Sequence, residues 1–187
     1  VLAGHLGPVE TALLLGLFVL GIGKAAVMPV HRWLPAAMVA PTPVSALLHA
    51  VAVVKAGVFT ITKVVIYIFG LEFLAGVPAE RILVYVAGFT VVASSIVALR
   101  QDNLKRLLAY SSIENMGLLF VGIGLTLVFF GYDMKPMAAL SLTATLYHVA
   151  SHAFFKSLLF LGTGSVLHAT SERSLGKLGG LIRTMPW

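Results

Sequence analysis

Apolar residues fall into five long stretches: Thr11 to Pro29, Ser45 to Phe69, Ile82 to Leu99, Leu107 to Phe130 and Met137 to Leu167. Each approaches or exceeds the roughly 20 residues a helix needs to cross about 30 Å of hydrocarbon. Breakers and polar residues separate them. Pro41 and Pro43 lack amide donors and suit a helix N-terminus, with Thr42 and Ser45 as candidate caps. Gly70 and Pro78 bracket the second connection, Arg100, Gln101, Asp102 and Asn103 are too polar for lipid, and Gly131, Tyr132, Asp133 and Pro136 form the fourth turn. The pattern predicts an all-α membrane protein, a single transmembrane segment of five helices.

Composition agrees. Hydrophobic residues make up 59% of 187 and charged residues 11%, with a mean hydropathy of +0.99, against about 45–50% and 25% in soluble domains. Thirteen Lys and Arg against seven Asp and Glu give +6. These charges sit in short connections rather than on one solvated face, which argues against nucleic-acid binding. With no Cys, disulfides, zinc-thiolate sites, iron–sulfur ligation and a cysteine nucleophile are excluded, and no cofactor is expected on this chain. The chain starts at Val1 without a secretory leader and stops at Pro186 and Trp187 after a cationic loop, so a fragment of a longer polypeptide is expected.

Five spans put the two ends on opposite sides of a membrane. Arg32, Arg100, Lys105, Arg106, Arg173, Lys177 and Arg183 fall on one side, and Arg81 and Lys135 on the other. Seven against two puts the first connection and the C-terminal tail in the cytoplasm and the N-terminal end outside, in a cell (inner) membrane.

Ionisable residues also lie inside the spans: Lys24, His49, Lys55, Glu114, His148, His152 and Lys156. A charge at a helix centre costs about 2.5–3.5 kcal/mol, so such a group usually meets a partner or an aqueous path. Lys63 and Lys105 lie near span ends, where a lysine snorkels to the interface. His148, His152 and Lys156 recur every four residues and share one helix face. Two histidines at that spacing suit a metal, yet the stripe holds no carboxylate and places a lysine one turn on, so no metal is expected. A proton path fits better, because His titrates near neutral pH and a desolvated Lys can be drawn toward that range. Gly21-Ile22-Gly23-Lys24-Ala25 lacks the spacing of a phosphate loop and reads as a break in the first helix, where backbone and water meet a charged side chain.

Three motifs carry a resemblance. They are Pro29-Val30-His31-Arg32-Trp33-Leu34-Pro35 with Ala40-Pro41-Thr42-Pro43-Val44-Ser45-Ala46-Leu47-Leu48-His49, Asp102 to Ser112, and Tyr147-His148-Val149-Ala150-Ser151-His152-Ala153-Phe154-Phe155-Lys156 through Leu161. Together they resemble the antiporter-like membrane subunits of respiratory complex I, Mrp-type sodium/proton antiporters and membrane-bound hydrogenases. That resemblance implies about fourteen helices in two inverted five-helix repeats, each forming half of a proton channel. This segment would then hold the last two helices of the first repeat and the first three of the second, with span one as the broken helix. Lys24 would match the channel lysine, His49 the following histidine, and Lys105, His148, His152 and Lys156 the connecting and second-half residues. The glutamate that pairs with the channel lysine would lie upstream of residue 1. Glu114 and Gly179 to Trp187 look like hydrogenase-4 subunits, whereas Leu48 to Gly57, with His49 and Lys55, looks Mrp-like.

The expected function is proton translocation within a redox-driven complex of hydrogenase-4 or complex I type, with no redox centre on this chain. The proton pathway would use Lys24, His49, Lys55, Lys105, Glu114, His148, His152 and Lys156. Expected partners are other membrane subunits, protons and the lipid bilayer. The alternatives are an Mrp-type sodium/proton antiporter subunit, whose sodium would need oxygen ligands that only Glu114 offers, and an inert membrane anchor.

Overall fold

The computed structural model describes residues 6–75, 77 and 79–185. Val1, Pro78, Pro186 and Trp187, named above, lie outside the described residues. Every regular element among the described residues is helical: α1 (Pro8–Gly21), α2 (Trp33–Ala36), α3 (Thr42–Ala46), α4 (Val53–Lys63), α5 (Leu71–Ala75), α6 (Ala79–Leu99), α7 (Leu104–Gly131), α8 (Lys135–Thr170) and α9 (Leu181–Thr184). Among the described residues, three helical stretches are long and apolar enough to cross a membrane: Thr42–Phe69, Arg81–Leu99 and Leu104–Gly131. The 36-residue α8, about 54 Å long at 1.5 Å per residue, is not among them because His148, His152 and Lys156 lower its hydropathy. The first span is interrupted where Gly21 to Ala25 pointed to a break. Its helix ends at Gly21, a 3₁₀ turn follows at Gly23–Ala25, and Ala26 takes a left-handed conformation with φ +55°. Beyond the break the chain reaches Pro29 without resuming the helix.

The break at Lys24 is packed from both sides. Trp33 Nε1 donates to the Gly23 carbonyl at 2.8 Å, a second donor to an oxygen that also accepts the Ala26 amide at 3.1 Å as the 3₁₀ turn closes. On the other side, α4 comes so close at Gly57 that a Cβ there would lie 2.7 Å from Ala25 Cα and 2.8 Å from the Lys24 carbonyl carbon. Only glycine permits that approach.

The second span is irregular too. It runs from α3 through a π-helix at Leu47–Val51 into α4, then a second π-helix at Val64–Phe69. The proposed caps act differently from expectation. Pro41 is the N-cap of α3 with no side-chain capping bond, and Ser45 Oγ donates to the Ala40 and Pro41 carbonyls at 3.3 Å.

Helices α6, α7 and α8 form consecutive antiparallel neighbours joined by short turns. Asn103 caps α7, its Oδ1 accepting from the Lys105 and Arg106 amides at 3.1 and 3.2 Å. At one end of this bundle Arg81 donates to the Tyr132 hydroxyl. At the other, the segment after α8 folds back on the α6–α7 turn: Leu175 N donates to Asp102 O at 2.7 Å, Leu104 N to Arg173 O at 3.4 Å, and Asn103 bridges Ser174. The main apolar core lies among α4, α5, α6 and α7, built on Phe69, Leu74, Ile113, Met116, Phe120 and Leu127.

Candidate functional site

A second interior region, where α7 and α8 meet the π-helix and α4, is not apolar. On α8 the buried positions Thr145, His152, Lys156, Phe160 and Thr163 fall on one stripe, as the four-residue spacing requires. Leu140, Tyr147, Phe154, Leu158 and Leu161 point away and are exposed. The stripe packs against His49 in the π-helix and Lys55 on α4. A π-turn carries one residue more per hydrogen-bonded ring than an α-turn, and such bulges recur at functional sites.

Lys55 Nζ and His152 Nδ1 are direct hydrogen-bond partners, joining α4 to α8. An ammonium can only donate, so Nδ1 accepts, and the neutral imidazole then carries its proton on Nε2. Nε2 of His152 is buried and finds no protein partner among the described residues. The ring stands edge-on to Phe155 at 5.0 Å and 6.0 Å from the His148 ring. His148 Nε2 pairs with Asn115 Oδ1 of α7 at 3.1 Å. One turn further along α8, Lys156 is 1% exposed and its ammonium donates to the Leu108 carbonyl at 3.4 Å.

His49 is fully enclosed, its ring tilted 38° against that of Phe160 at 5.1 Å, with neither ring nitrogen committed to a protein group among the described residues. It lies within electrostatic reach of Lys55, Lys105 and Lys156. Lys105 is buried at the α7 N-terminus, donating to the Ala40 carbonyl at 2.6 Å and that of Met38 at 3.3 Å, so it is not an interfacial snorkel. Lys63 is exposed, its ammonium 5.4 and 5.8 Å from the Phe59 and Tyr67 ring centres.

Buried lysines normally pair with carboxylates. Here the ion pairs among the described residues are Lys135–Asp133 and Lys177–Glu172, both at the surface. Lys55, Lys105 and Lys156 instead use an imidazole and backbone carbonyls. Glu114 is half-buried on α7 and close enough to act electrostatically on Lys156. No group of three or more His, Cys, Asp or Glu able to hold a metal occurs among the described residues.

Of the eight residues singled out, the structure brings His49, Lys55, His148, His152 and Lys156 together, with Glu114 beside them and Lys105 at one end. It does not bring Lys24 to the group. The Lys24 backbone touches α4 at Gly57, and its side chain is exposed; residues 55 and 57 sit about 200° apart around a helix, so Lys55 faces the other way. The reading of the chain passed over Asn115, whose polarity in an apolar span was the available signal, and Phe160, which looks like any core aromatic. The Leu108 carbonyl leaves no trace in a sequence.

A family model described as NADH:quinone oxidoreductase/Mrp antiporter, TM, matches residues 3–187. The chain belongs to that family. It is 37% identical over 179 residues to NADH-ubiquinone oxidoreductase chain 5 of Metridium senile, covering 95% of this chain and 26% of that protein. It is 35% identical over 165 residues to NADH-quinone oxidoreductase subunit L of Rickettsia typhi, covering 88% and 22%. In three dimensions it resembles the Mrp complex from Dietzia sp. DQ12-45-1b, with a TM-score of 0.78 and 36% identity over 97% of this chain and 18% of that one. The chain thus spans about a quarter of the curated relatives it matches. It is a multi-pass membrane segment with the antiporter-like subunit fold.

Proposed function

We propose that this segment carries part of a proton path in a proton-translocating subunit of a larger membrane complex. The observation that carries the reading is the Lys55–His152 hydrogen bond, buried between two membrane helices, with uncommitted imidazole nitrogens on both His152 and His49. A proton donated by Lys55 to His152 Nδ1 lets Nε2 release one on the opposite side of the ring, which moves charge without moving the side chain. His148, fixed by Asn115, and Lys156 extend the series along α8, while His49 continues it toward Lys105. Glu114 beside Lys156 supplies a counter-charge that a distant event in the complex can strengthen or weaken. Lys24, at the helix break, is an entry residue reached from outside the buried series.

We take the driving redox reaction to reside on partner subunits, as the names of the NADH oxidoreductase relatives suggest. We take the Asn103–Ser174 end to be cytoplasmic, in an inner membrane, a reading supported by the basic residues collected there. The test is proton uptake by vesicles holding the complete complex. His152→Phe should reduce coupled uptake by about 10²-fold or more, the scale of losing a proton-transfer group, with the complex still assembled. Uptake at the wild-type rate would refute the reading. The likeness to an Mrp complex favours sodium/proton exchange as a second reading, and sodium-dependent flux abolished by Glu114→Gln would establish it. An inert anchor would retain full ion movement when His148 and His152 are both replaced by Phe.

A further inference from the structure

At the Asn103–Ser174 end, two cavities flank Pro35 and Ala36. One, about 320 Å³, is lined by Arg32, Gln101, Arg106 and Tyr110. The other, about 220 Å³, is lined by Arg106, Arg173, Val39 and Asn103. Arg106 belongs to both. Arginines from three separate segments, the loop before α2, the first turn of α7 and the tail after α8, thus line two neighbouring cavities that share Arg106.

The acidic groups at this end are already engaged. Asp102 accepts from Ser174 Oγ at 2.6 Å and the Gly176 amide at 3.0 Å. Glu172 accepts from the amides of Arg173 and Ser174 and pairs with Lys177. The side chains of Arg32, Arg106 and Arg173 have no acceptor or ion-pair partner among the described residues, and all three are exposed. Five fixed donors per guanidinium suit the tetrahedral oxygens of a phosphate group. The surroundings fit a lipid better than a free anion: Val39 beside the arginines is 89% exposed, and Leu99, where α6 ends, is 86% exposed. Two bare aliphatic side chains next to a basic pocket at the ends of membrane helices match a headgroup above its acyl chains.

We propose that Arg32, Arg106 and Arg173 bind the phosphate of an anionic phospholipid, whose chains run along Val39 and Leu99. The lipid would bridge the loop before α2 to the α6–α7 turn and the tail. The contribution of each near-surface arginine to anionic-lipid binding is about fivefold, so Arg32→Gln with Arg106→Gln should weaken retention about thirtyfold. The experiment is native mass spectrometry of the complete complex released from bilayers containing phosphatidylglycerol and phosphatidylcholine. The wild type should retain phosphatidylglycerol, the double variant should lose it, Arg106→Lys should retain less than the wild type because it keeps the charge but not the fork of donors, and Arg81→Gln at the opposite end should not change it. Equal loss in Arg81→Gln, or no preference for phosphatidylglycerol in the wild type, would overturn the site. Displacement of the lipid by excess inorganic phosphate would overturn the lipid assignment in favour of a free anion.

Discussion

The two faces of α7 make opposite bargains with the membrane. Against α6 it offers small residues: a Cβ on Gly117 would lie 2.8 Å from Val91 Cγ2 and 3.1 Å from the Ala87 carbonyl. The polar groups there are hydroxyls that donate locally, Thr90 to Val86 O at 2.9 Å and Ser94 to Thr90 O at 2.5 Å, with Thr90 also accepting the Met28 amide at 3.3 Å. Helices in lipid gain little from hydrophobicity against each other, so close backbone approach and local hydrogen bonds are what hold such an interface. Against α8 the same helix offers Asn115 to His148, and the Leu108 carbonyl and the charge of Glu114 to Lys156. Groups of that kind cost several kcal/mol in sum. One face is built to hold, and the other keeps unmatched charge at the expense of holding.

The difference can be broken from either side. The largest effect is expected at Lys55→Met, which removes the donor to His152: proton flux should fall about 10²-fold or more, measured in vesicles holding the complete complex. Next, Gly117→Leu should push α6 from α7 and destabilise assembly by about 1–3 kcal/mol, seen as a lower melting temperature, while flux per assembled complex stays unchanged. Asn115→Leu leaves His148 without its partner, and a lost hydrogen bond of about 0.5–1.5 kcal/mol should slow flux roughly three- to tenfold.

The smallest effect concerns the tail. The Ser174 hydroxyl, and after it the Gly176 amide, hold the Asp102 carboxyl below its ordinary value. The Ser174 and Arg173 amides do the same for Glu172. A depressed acid stabilises above its unfolded pKa and loses that contribution as pH falls through the lower folded value. Hydrogen-exchange protection of the Gly176 amide should therefore be constant near neutrality and decline below about pH 3.9, and Asp102→Asn should abolish that dependence.

The apolar spacing and three motifs made the fold class and family legible, because a bilayer forces each span to show in the sequence. The α8 stripe was equally legible, since its four-residue spacing fixes a face. The interruption near Gly23 was readable from glycine beside a lysine, but its extent was not: that α1 stops at Gly21 depends on Trp33 and Gly57, which reach the break from distant segments. The π-helix around His49 was hidden in a run of small apolar residues that suits an α-helix equally well. The caps failed for local reasons: Thr42 already lies inside α3, whose N-cap is Pro41, and the Ser45 hydroxyl donates to preceding carbonyls instead of accepting from the first amides. Lys105 resembled an interfacial lysine by position, and only the approach of the Met38 and Ala40 carbonyls makes it a buried one.

The central claim is that the α7–α8 face retains buried charge for proton movement rather than for stability. Lys156→Met tests it most directly, with proton flux and melting temperature measured on the same assembled complex. The account predicts that flux is lost while the melting temperature holds or rises, since a buried ammonium is replaced by an apolar chain of similar length. Flux at the wild-type rate, or flux lost only together with a collapse in stability, would contradict it.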